Sequence, residues 1–139
     1  MSPRVLAAVS RGLEPRLRTI LPECELCFVR TGVELVRALD ESRWDMLIVG
    51  MSFDESSAIA ALERVLERGE TFPVVCVRGV PFGRLGQPAL DALRLALGEL
   101  GAQNFIDLLE YPDDALGNAR VRAMLEPLLL QPQDHSSPP

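Results

Sequence analysis

Short apolar runs alternate along this chain with stretches whose apolar residues recur every three or four positions. Arg4 to Val9, Cys24 to Val29, Met46 to Val49, Val74 to Val77 and Phe105 to Leu109 are runs of strand length. The segments between them carry helical patterns. Ser10 stands where it can cap a helix bearing Leu13, Leu17, Ile20 and Leu21, with Pro15 in its first turns and Pro22 at its close. Thr31-Gly-Val-Glu34 has the spacing of a capping box, in which hydroxyl and carboxylate satisfy the first free amides. Leu35, Val36 and Leu39 give that helix its apolar face, and Asp40 to Arg43 ends it. Ser56 and Ser57 open a third helix with Ile59, Leu62, Val65 and Leu66 facing inward and Gly69 just past its end. Pro88 opens a fourth, with Leu90, Leu93, Leu97 and Leu100 on one stripe before Gly101. Pro112 and Asp113 begin a fifth carrying Leu116, Val121, Met124, Leu125 and Leu128, and Pro127 is expected to end it early.

Five strand-helix units in succession predict a parallel sheet with helices on both faces. The first, third and fourth strands are almost wholly apolar, as strands buried on both faces must be. The second carries Glu23 and Glu25, and the fifth is interrupted by Asp107, so these two suit the edges. The expected architecture is an α/β, flavodoxin-like (βα)5 sandwich with strand order 2-1-3-4-5. One domain is expected over residues 1–130. The end, 131–139 (QPQDHSSPP), reads as a disordered tail.

Composition narrows the function. The 139 residues are 47% hydrophobic and 24% charged, a globular balance. No apolar run reaches the roughly 20 residues of a membrane span, and no signal peptide is visible, so a cytoplasmic location is expected. The net charge of −6, with the basic residues scattered, disfavours a phosphate backbone as partner. All 14 basic residues are arginine, which removes lysine-dependent chemistry. Cys24 and Cys27 form a C-x-x-C, but on a strand they point to opposite faces, so neither a redox pair nor a zinc site is expected. His135, the sole histidine, lies in the tail. No nucleophile-base pair, metal cluster or cofactor motif is visible; no enzyme activity, metal or cofactor is expected.

Ligands of such sheets bind beyond the carboxyl ends of the strands. That rule selects Val9, Ser10 and Arg11, then Gly50 to Asp54, then Arg78, then Asp107 and Leu108. Asp54 and Glu55 read as charges at a helix start.

Four segments carry a resemblance: Trp44-Asp-Met-Leu-Ile-Val49, Phe72-Pro-Val-Val-Cys-Val77, Gly101-Ala102 before Phe105-Ile106, and Thr31-Gly-Val-Glu34. In order and spacing the chain resembles, over roughly residues 4 to 128, the receiver domain of two-component response regulators. The resemblance implies a bacterial signalling context and assigns positions. The phosphoacceptor aspartate falls at Gly50, the acidic pair that holds magnesium at Val9 and Ser10, the switch Ser/Thr at Arg78 and the essential lysine at Leu108. Every one departs from the family pattern. Only the switch aromatic has an equivalent, Phe105. Aspartyl phosphate formation needs a carboxylate and a divalent cation, so a degenerate receiver, or pseudo-receiver, is expected.

Two readings follow. In the first, the chain acts by protein-protein contact without phosphorylation, with a signalling protein or a second copy as partner. Met51, Phe53, Val80, Phe82 and Leu85 in the loops above the pocket, with Phe105, are its expected contact residues, unless the loop side chains fold down and plug the pocket. The resemblance also implies that Phe105 and the last two helices form a partner surface. In the second, the Gly79–Gly86 loop, with Arg78 and Arg84, holds a small anionic or nucleotide ligand against backbone amides.

Overall fold

The computed structural model describes residues 2–51, 58–79, 87–102 and 104–130. Its strands are β1 (Arg4–Ala8), β2 (Glu25–Val29), β3 (Met46–Gly50), β4 (Val74–Arg78) and β5 (Asn104–Asp107). Its helices are α1 (Glu14–Ile20), α2 (Gly32–Glu41), α3 (Ala58–Arg68), α4 (Gln87–Glu99) and α5 (Ala115–Leu129). All strand pairs are parallel and the order is β2-β1-β3-β4-β5, as the apolar strand composition requires.

Strand alternation builds the core on both faces of the sheet. Val5, Ala7, Val9, Ile48 and Val75 pack on one side with Leu17 of α1 and Val121 of α5. Leu6, Ala8, Leu47, Val49 and Cys76 pack on the other with Leu35 of α2, Leu62 of α3 and Leu97 of α4. Cys24 and Cys27 also divide between the two faces, and both are free thiols. Burial pushes the Cys76 thiol up to about 12.

Local chemistry sets the ends. The Thr31 hydroxyl accepts the Glu34 amide at 3.1 Å, while the Glu34 carboxylate accepts from Arg30 N, one residue before the cap. Gly69 and Gly101, at φ 68° and 101°, follow α3 and α4 in the left-handed region that closes a helix.

Several expectations are corrected. Ser10 precedes a single 3-10 turn, Arg11–Leu13, and its side chain caps nothing. Leu66 is 57% exposed, because Ala61, Leu62 and Val65 already define the buried stripe of α3 and Leu66 falls at its margin. Leu116, 64% exposed, occupies the solvent side of the first turn of α5. Asp107 ends β5 instead of interrupting it: its carboxylate accepts the Leu109 amide at 3.1 Å and starts a 3-10 turn, Leu108–Glu110. Asp114 is the N-cap of α5, accepting from Gly117 N at 2.8 Å. That helix runs through Pro127 to Leu129, since Pro127 is exposed two residues from the end and the helix closes through Leu130 N to Glu126 O. Among the described residues, no helix is long and apolar enough to cross a membrane.

Candidate functional site

The carboxyl ends of β1, β3 and β4 lie side by side because the chain steps out to β2 and then returns across β1 to β3. Val9, just past β1, is fully buried. Gly50 ends β3 beside it: a Cβ built on Gly50 would stand 3.4 Å from both Val9 Cα and Val9 Cγ1. Position 50 would therefore aim a side chain into space bounded by valine, where a charged group loses its hydration. Ser10 is half-buried at the rim.

Leu13, the buried residue of the 3-10 turn after β1, packs against the chain just past β4. A Cβ built on Gly79, the residue after β4, would collide with the Leu13 side-chain carbons. Leu13 and Val9 belong to the same buried cluster on the α1/α5 side of the sheet. Val9, Leu13, Gly50 and Gly79 together make an apolar plug. Leu13 reads in the sequence only as one member of a helical stripe; its placement depends on the 3-10 turn that starts the segment.

The charged groups at the site neutralise each other. Arg78 and Asp107 are register partners across β4 and β5, with Arg78 Nε 3.3 Å from Asp107 Oδ1. Asp107 is 4% exposed. The Arg78 Nε–H is buried and, among the described residues, finds no aligned acceptor. The sequence offers a cue to this pair: each is the sole charged residue of an otherwise uncharged strand. Leu108 turns into the α1/α5 side of the core, 1% exposed.

A second polar cluster lies behind the plug. The Arg16 guanidinium of α1 donates to Leu108 O at 3.1 Å, Tyr111 O at 2.6 Å, Pro112 O at 3.1 Å and Asn118 Oδ1 at 2.8 Å. It thereby fastens the segment between β5 and α5. Nothing in local sequence marks Arg16, whose partners are more than ninety positions away. Gly117 completes this corner: a Cβ there would overlap the Pro112 carbonyl.

Of the expected contact residues, Met51 is half-buried against the α2–α4 side of the core. Phe105 is half-buried on that same side, with the Arg94 guanidinium of α4 5.1 Å over its ring. Phe53, Val80, Phe82 and Leu85 lie outside the described residues, as do Asp54, Arg84 and most of the Gly79–Gly86 loop. A groove of about 830 Å³ runs between α1 and α5, bordered by Thr19, Glu23, Asp113 and Arg122, away from the plug. Among the described residues, no three acidic, cysteine or histidine side chains converge as a metal site would require.

Solved structures similar to this chain are receiver domains. A response regulator from Thermotoga maritima matches with a TM-score of 0.71 at 13% identity, over 94% of this chain and 100% of that one. The signal receiver domain of an HD domain-containing protein from Pseudomonas fluorescens Pf-5 matches with a TM-score of 0.66 at 18% identity, over 92% and 98%. The phosphorylated cyanobacterial phytochrome response regulator RcpA matches with a TM-score of 0.68 at 14% identity, over 96% and 98%. No protein-family model and no curated protein matches the chain. The chain has the receiver fold.

Proposed function

We propose that this chain is a receiver-like signalling module that takes no phosphoryl group and acts through contact with another protein. The observation that supports this reading is the apolar plug: Val9 against Gly50 and Leu13 over Gly79, at the carboxyl ends of the central strands. A phosphoryl acceptor needs a carboxylate with a cation beside it to offset charge on the transferred group. Here the acceptor position has no side chain, the neighbouring strand end offers valine, and Asp107 already occupies the arginine.

The means of action is contact, with a signalling protein or a second copy as the partner. The α4–β5–α5 side suits it, since Leu95, Leu109 and Leu116 are exposed there. The expected test result is a single unmodified intact mass after incubation with acetyl phosphate and magnesium, read under mild conditions that preserve acyl phosphates. A phosphoryl adduct, on Asp54 or elsewhere, overturns the proposal. Pull-down from native cell extract then identifies the partner, and loss of capture by Leu95→Asp or Leu116→Asp locates the surface.

A further inference from the structure

We infer that the Arg78–Asp107 pair is a built-in lock that holds the carboxyl ends of β4 and β5, and with them the Phe105 face, in one conformation. Exchanging a buried ion pair for apolar residues of similar size is often neutral or stabilising, so such a pair is poorly explained by stability alone. This one joins directly opposed residues at the ends of two strands that carry no other charge. Its connections lead outward in two directions. Asp107 Oδ1 also receives the Leu109 amide, and the adjoining Leu108 carbonyl is held by Arg16, which reaches Asn118 of α5. Phe105, two residues before Asp107, projects to the same side of the strand and lies under Arg94 of α4. Release of Asp107 therefore loosens the 3-10 turn beside α5 and the strand end beneath α4 together. Among the described residues the Arg78 Nε–H has no aligned acceptor, so the Nε–Oδ1 approach rests on charge and not on a hydrogen bond, which leaves it openable.

This inference rests on the reading of the site as closed to phosphoryl groups, because a phosphoryl group there would compete with Asp107 for Arg78. The test is amide hydrogen exchange on the full chain carrying Asp107→Asn, Arg78→Met, or both. Asparagine can still accept the Leu109 amide, so Asp107→Asn isolates the charge. Exchange at residues 77–79 and 105–110 is expected to quicken by about tenfold or more, while β1, β2 and α2 keep their protection. The double variant is expected to melt near the parent temperature yet keep the fast local exchange; it carries the test if a single variant fails to fold. Unchanged exchange at 77–79 and 105–110 in the double variant, or one equal factor throughout the chain, overturns the lock. A phosphoryl adduct in the mass experiment would instead overturn the reading beneath it.

Discussion

A side chain at position 50 would start at contact distance from Val9, so an apolar wall meets any group placed there. Introducing an acid by Gly50→Asp places a carboxylate against Val9, so the variant is expected to lose about 1–3 kcal/mol in urea unfolding and still gain no phosphoryl adduct. In Gly79→Ala the nearest atoms to the new methyl belong to the Leu13 side chain, which can shift; a cost of about 1 kcal/mol is expected, largely recovered when Leu13 is also cut to alanine. Cys76 gives a sharper contrast. Its thiol is raised to about 12, above the ordinary value of 9.0, because burial disfavours the thiolate. The native protein is therefore expected to label at Cys24 and Cys27 only with a thiol reagent at pH 8, and at all three after unfolding. The unfolded chain releases the Cys76 proton first, so this thiol's contribution to stability is whole below pH 9 and declines as pH rises from 9 toward 12.

Between elements, long arginines make the connections that apolar packing cannot. Arg16 ties α1 to the β5–α5 segment, and Arg16→Met strands several carbonyls, with an expected loss of about 2–3 kcal/mol in urea unfolding. Arg16→Lys should recover less than half, since an ammonium cannot reproduce the planar fork. Arg122 of α5 bridges Glu23, the residue pair that ties α5 to the chain ahead of β2, and also donates to Ile20 O at 3.0 Å. The hydrogen bond from Arg122 lowers the Glu23 carboxyl from 4.5 to about 2. A lowered acid contributes stability above pH 4.5 and loses it as pH falls toward 2. The pair is solvent-exposed, so screening keeps that contribution below about 1 kcal/mol however large the shift. Glu23→Gln is expected to flatten this small acid-limb difference in thermal melts between pH 5 and pH 2.5.

Across the whole molecule, the fold was legible because period and composition are local properties. Strand runs and three-to-four spacing report which face must leave water, and the uncharged stretches of β1, β3 and β4 mark them as interior strands of the sheet. A chain ending at Leu130 is accordingly expected to melt at the parent temperature, since the described residues of both apolar cores lie within that span. The absence of an acid at position 50 and of a lysine at position 108 was equally plain from residue identity. Tertiary structure alone decided which side chains meet at the strand ends. Leu13 above Gly79, Arg78 against Asp107 and Arg16 on the β5–α5 segment each join residues far apart in the chain. Which side chain fills a shared space depends on the packing of several elements at once, and no periodicity within one segment encodes that.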